Sequence, residues 1–152
     1  MKNTGTGEIA VGVVGLGLMG CSFIATLLMA GHDVKAIAPI AEDMESAGER
    51  IKNHLLLCEK AGLLNKPVES YLLQLIISED YANLAACSLV LECVIEIPEI
   101  KKSVYEKIEA VVAKGSVIAS NTSAIPISDL QNYLAHPERF IGIHLAEPSY
   151  FS

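Results

Sequence analysis

The chain has no CxxC pair and no histidine-rich spacing; its four cysteines, Cys21, Cys58, Cys87 and Cys93, stand apart, which argues against a zinc site. Three of them sit inside apolar periodic segments, as free thiols buried in a reducing compartment do, so a cytoplasmic location is expected. Positive charge is scarce: 11 Lys and Arg face 18 Asp and Glu, giving a net charge of −7 and a pI near 5.0. Such a field repels polyanions, so neither nucleic acid nor an anionic membrane surface is an expected partner. No membrane span is expected, and the leader MKNTGTGEIAVGVVG has no apolar run ahead of a small-residue cleavage site, so no secretory signal is expected either. Internal repeats, low-complexity linkers and charge blocks are also lacking.

What is present is one domain's worth of apolar sequence, residues 1–152, with 51% hydrophobic and 19% charged residues and a mean hydropathy of +0.41. Ile9 to Val14 reads as a central parallel strand, and Leu18 to Ala30, apolar almost all round, as the helix after it, closed by Gly31. Val34 to Ala38 is a second strand, stopped by Pro39. Apolar and small residues at Met44, Ala47, Gly48, Ile51, Leu55 and Cys58 recur at helical spacing up to Gly62. A further helical piece, Val68 to Leu73, precedes Leu75 to Ser78, so a helical insertion follows strand two. SLVLECVIE forms strand four, Glu99 to Ala113 its helix, Val117 to Ser120 strand five, Ile127 to Leu134 a short helix and RFIGIHL strand six. The alternation predicts an α/β fold of Rossmann type, a doubly wound, mainly parallel sheet.

Gly15, Gly17 and Gly20 fall where strand one hands over to the first helix. Gly15 permits a tight turn, Gly17 lets a pyrophosphate approach the backbone and Gly20 lets helix and strand pack closely. The loop residues Gly15, Gly17, Leu18, Met19 and Gly20 are therefore the candidates for binding a dinucleotide. In such sites strand two usually ends on an acid that holds the adenosine ribose, and here the place is taken by Ala38. Asp33 begins the strand, about 16 Å away along five steps of ~3.3 Å. Glu42 and Asp43 read as first-turn residues of the next helix. Without an arginine between Ala38 and Arg50 to receive a 2′-phosphate, NAD is the default cofactor and NADP stays open.

Three further segments, LVLECVIEIPEIKKSVYEKIE, SNTSAIPISDL and PERFIGIHLAEP, together with VVGLGLMG and the insertion, resemble the NAD-binding domain of the 3-hydroxyacyl-CoA dehydrogenases from about Ile9 to Pro148. The resemblance implies hydride transfer between NAD and the hydroxyl carbon of a 3-hydroxyacyl-CoA, with an acyl-CoA or related 3-hydroxy compound as substrate. It makes His144 the catalytic base, an imidazole being suited to proton transfer near neutrality. It gives Ser123 a hydrogen bond to the reacting oxygen, has Asn121 position nicotinamide and substrate, and places Glu96 and Lys101 at the nicotinamide end of the cofactor. Independently, Glu96, Asn121 and His144 all fall at or after the carboxyl ends of strands, where open α/β sheets gather ligands. Each also has a plainer reading: a strand-end histidine, ordinary turn residues, a solvated lysine.

The chain departs from the family pattern at Ala38, at Ala124 where serine is common, and at Glu147 where asparagine follows the histidine. The family's orienting glutamate and helical C-terminal domain, which complete the acyl pocket and a homo-oligomer, are not found by Ser152, so the 152 residues alone are expected to bind cofactor and to be inactive. Another β-hydroxyacid dehydrogenase, or a non-catalytic dinucleotide-binding protein, are the alternatives. Lys60 and Lys66 lie where coenzyme A phosphates or plain solvent could meet them.

Overall fold

A computed structural model describes residues 9–146 and 148–151; Glu147, singled out above, lies outside them. The β-branched runs form β1 (Ala10–Val14), β2 (Asp33–Ile37), β3 (Leu75–Ser78), β4 (Leu89–Glu92), β5 (Val117–Ser120) and β6 (Phe140–Gly142). Between them lie α1 (Leu18–Met29), α2 (Ala41–Lys60), α3 (Val68–Leu72), α4 (Pro98–Glu109) and α5 (Ile127–Leu130). All six strands are parallel, in the order β3-β2-β1-β4-β5-β6. The chain winds outward in both directions from the β1/β4 junction, and the crevice beyond the carboxyl ends of those two strands is the switch point of a Rossmann-type fold.

Because successive strand residues point to opposite faces, each strand feeds two cores. Val13, Ala36 and Leu91 pack with Ile24, Leu28, Ile51 and Leu55 under α1 and α2. Val14, Ile37, Val90 and Ile118 pack with Tyr105, Ile108 and Leu130 under α4 and α5. Burial on both faces is why these strands are continuous apolar runs rather than alternating ones.

The element boundaries depart from expectation where polar contacts intervene. β4 stops at Glu92 because its own carboxylate takes the Val94 N–H at 2.8 Å and turns the chain. β6 is only three residues long, so His144 lies two residues past its end. The short helix expected to reach Leu134 is α5 followed by a 3₁₀ turn at Gln131–Tyr133. After β6 the chain folds back over α1, where Ser149 N–H donates to Ser22 Oγ at 2.8 Å and the Ser149 hydroxyl bonds those of Ser22 and Thr26 at 2.9 and 2.7 Å. His54 Nδ1 and the Tyr150 hydroxyl, 3.2 Å apart, add a contact to α2. These ties hold the stretch after His144 beside the glycine loop.

Candidate functional site

The three glycines of the loop are required for different reasons. Gly15 has φ +95°, and a Cβ there would also lie 2.7–2.8 Å from the Cys93 carbonyl and the Val94 nitrogen. A Cβ on Gly20 would overlap the Gly15 carbonyl oxygen. Gly17 is the reverse case: φ −69° and ψ −164° suit any residue, and a Cβ would meet no heavy atom within 4 Å. Neither backbone nor packing calls for glycine at 17; open space for a ligand does. Gly17 is also the N-cap of α1, with no side chain to cap it, and the first turn of α1 carries no acid. The first N–H groups of that helix are thus free to take an anion.

Two adjoining cavities meet at Cys93 and Val94. The first, about 400 Å³, is walled by Met19, Glu96, Asn121, Ser123, His144, Leu145 and Ala146. It brings together residues from the ends of β4, β5 and β6 that stand far apart in sequence. Glu96 clamps the β5 turn, accepting from Thr122 Oγ1 at 2.9 Å and from the Ser123 N–H at 3.1 Å. Thr122, which carries no mark in the sequence, also receives the Ile125 N–H at 3.1 Å and so shapes the turn that presents Ser123. Asn121 has a buried Oδ1 with no partner among the described residues. A nicotinamide carboxamide N–H would satisfy that oxygen, and the bare N-terminus of α1 would hold the pyrophosphate. The residues present therefore fit a nicotinamide dinucleotide.

Lys101, expected to touch the cofactor, instead stands behind the cavity wall with 1% of its side chain exposed. Its ammonium donates to Glu92 Oε1 at 2.8 Å and lies 3.4 Å from Glu96 Oε2. Glu92, fully buried and not picked out from sequence, is the hub. Oε1 takes Lys101 and Val94 N–H, and Oε2 takes the Tyr105 and Ser120 hydroxyls, both at 2.7 Å. Four donors fill the carboxylate's acceptor sites, so the charge is compensated on every side. Burial, and then the Glu92 charge, push the Tyr105 phenol above its ordinary value. Burial and Glu92 likewise push up the Cys93 thiol, which makes it a wall rather than a nucleophile. Leu18 stands exposed at the start of α1, while Gly20 serves packing and lines neither cavity.

The second cavity, about 240 Å³, is lined by Gly15, Gly17, Asp43 and an apolar group of Pro39, Ile40, Ile95 and Ile100. Such a slot suits the flat face of adenine. Ala38 is buried, its N–H given to the Ser78 carbonyl at 2.9 Å, so nothing acidic reaches the slot from β2. The acid that does line it is Asp43, expected only to favour the first turn of its helix; its spacing to Ser46 and Arg50, one and two turns along one helix face, is the signal that marks it.

A switch-point crevice, a glycine loop leading to an uncapped helix, and a cavity carrying Glu96, Asn121, Ser123 and His144 beside an apolar slot define a dinucleotide-binding domain. The chain belongs to the 3-hydroxyacyl-CoA dehydrogenase family: residues 10–152 match the model of its NAD-binding domain. It is 32% identical over 139 residues to a 3-hydroxybutyryl-CoA dehydrogenase of Bradyrhizobium diazoefficiens, covering 91% of this chain and 47% of that protein. The crystal structure of (S)-3-hydroxybutyryl-CoA dehydrogenase from Ralstonia eutropha superposes with a TM-score of 0.86 at 27% identity, over 94% of this chain and 51% of that one. That of the Escherichia coli 3-hydroxybutyryl-CoA dehydrogenase gives 0.84 at 30% identity, over 94% and 30%. The chain thus spans about half the length of the curated relatives it matches. Among the described residues no helix is long and apolar enough to cross a membrane.

Proposed function

We propose that the chain forms the cofactor half of an enzyme that interconverts a 3-hydroxyacyl-CoA and the corresponding 3-oxoacyl-CoA. The observation that carries this reading is the gathering of Glu96, Asn121, Ser123 and His144 around one cavity next to the glycine loop. NAD, when bound, supplies the hydride acceptor. A ring nitrogen of His144 takes the proton from the substrate hydroxyl as the carbon–hydrogen bond at C3 breaks and the carbonyl forms. The Ser123 hydroxyl donates to that oxygen, and Asn121 would hold the carboxamide end of the cofactor through its buried Oδ1. Glu96 keeps Ser123 in place through its bond to the Ser123 N–H, and Lys101 keeps Glu96 in place. The acyl pocket, the carboxylate that orients His144 and a homo-oligomeric interface belong, in this reading, to the part of the relatives that the chain does not span. The enzyme works in the cytoplasm.

The test uses the protein that carries this domain, with 3-hydroxybutyryl-CoA as substrate. His144→Gln should lower kcat by a factor of about 10²–10⁴ and leave the NADH Kd within twofold. Equal activity of the variant and the parent would remove His144 from the chemistry, and no NADH binding at millimolar concentration would end the cofactor assignment.

A further inference from the structure

The adenosine end of the crevice poses a specific question: with Ala38 in place of an acid, what meets the ribose? Asp43, on the first turn of α2, lines the same slot as Gly15 and Gly17. Its Oδ2 accepts the Leu16 N–H of the glycine loop at 3.3 Å. Its Oδ1 accepts Arg50 Nη2 at 2.8 Å, and the side chain is only 16% exposed. Arg50 is held in turn by Ser46 Oγ at 2.7 Å, and the Ser46 hydroxyl by the Glu42 carbonyl at 2.7 Å. A carboxylate with about four acceptor sites keeps roughly two after these bonds, one on each oxygen. Two vicinal hydroxyls are the complement of that arrangement.

We infer that Asp43, steadied by Arg50, is the carboxylate that receives the adenosine ribose hydroxyls of the cofactor, delivered from α2 instead of from the end of β2. The inference rests on the dinucleotide reading above and sharpens it. Arg50 Nη2 donates to both Asp43 and Ser46, and Asp43 lines the slot where Arg50 does not, so a 2′-phosphate approaching the ribose position meets a carboxylate before it meets a cation. The site therefore selects NAD over NADP, although its arginine stands close by. Asp43 contacts the ligand, and Arg50 is a positioning residue.

The experiment is a set of calorimetric or competition titrations on the protein that carries this domain. The parent protein should bind ADP about tenfold more tightly than 2′-deoxy-ADP, as expected for one lost charge-assisted hydrogen bond, and ADP-ribose more tightly than 2′-phospho-ADP-ribose. Asp43→Ala should weaken NADH by about tenfold and abolish the ADP over 2′-deoxy-ADP preference. Since the probe comparison is made on the parent protein, it stands even if the variant does not fold. Normal NADH binding with no ADP over 2′-deoxy-ADP preference, or with 2′-phospho-ADP-ribose the tighter ligand, overturns the inference while leaving the dinucleotide reading intact. Absence of NADH binding in the parent overturns both.

Discussion

Adding one methyl group at Gly17 separates a binding role from a structural one. The backbone at Gly17 lies at φ −69° and ψ −164°, and an added Cβ would find no heavy atom within 4 Å. Restricting the unfolded chain favours the alanine variant by ~0.4–1 kcal/mol. Alanine is a poorer N-cap than glycine by an amount of the same order. The two effects oppose each other, so the stability of Gly17→Ala should stay within about 1 kcal/mol of the parent. Binding behaves differently. An N–H···O bond to phosphate needs about 2.9 Å, whereas a methyl carbon keeps an oxygen ~3.5 Å or more away. At least one hydrogen bond to a charged oxygen is lost, about 1.5–3 kcal/mol, which weakens NADH by roughly 10- to 100-fold. Urea unfolding measures the first quantity and NADH calorimetry the second. Gly20→Ala is the control, since its Cβ would strike the Gly15 carbonyl and should destabilise the fold. If Gly17→Ala loses stability as Gly20→Ala does, or binds NADH as the parent does, the assignment of Gly17 to the ligand is refuted.

Other outcomes follow from the buried polar groups. Lys101→Met leaves the Glu92 carboxylate buried without its cation and should cost ~3–5 kcal/mol in denaturant unfolding, with a Lys101→Met/Glu92→Gln double variant losing less than the sum of the singles. Tyr81 has a buried hydroxyl with no hydrogen-bond partner among the described residues, so Tyr81→Phe should be neutral or stabilising by up to ~1 kcal/mol in the same assay. Burial pushes the Tyr81 phenol from 10.0 up to about 12. The folded state keeps a proton that the unfolded chain releases, so this contribution to stability is complete below pH 10 and is lost as the pH rises toward 12. Tyrosinate absorbance should accordingly show Tyr81 titrating late in the folded protein and normally in urea; normal titration in both would contradict its burial.

The fold was legible because its signals are local and repeated. Apolar runs such as VGVV and LVL lie in strands buried on both faces, and Gly31 and Gly62 end α1 and α2 with φ of +88° and +72°. The strand-end residues Glu96, Asn121, Ser123 and His144 do line one cavity, because parallel strands deliver their carboxyl ends to the same edge. Glu92 was illegible for the opposite reason. It ends an apolar run with no periodic mark, and its four donors come from Val94, Lys101, Tyr105 and Ser120, up to 28 residues away. The same network moved Lys101 from the expected ligand surface to the support behind it.

Sequence alone settled the α/β class, the glycine loop and the edge of the sheet on which ligands collect, since hydrophobic period, glycine spacing and strand direction are properties of neighbouring residues. Tertiary structure decided which charges face the crevice. Ser22 and Ser149, 127 residues apart, draw the chain after His144 back beside the loop, and α2 brings Asp43 within 3.3 Å of the Leu16 N–H while Ala38 points into the core. Coulomb and hydrogen-bond energies depend on distance in space, and packing sets that distance without leaving a pattern along the chain.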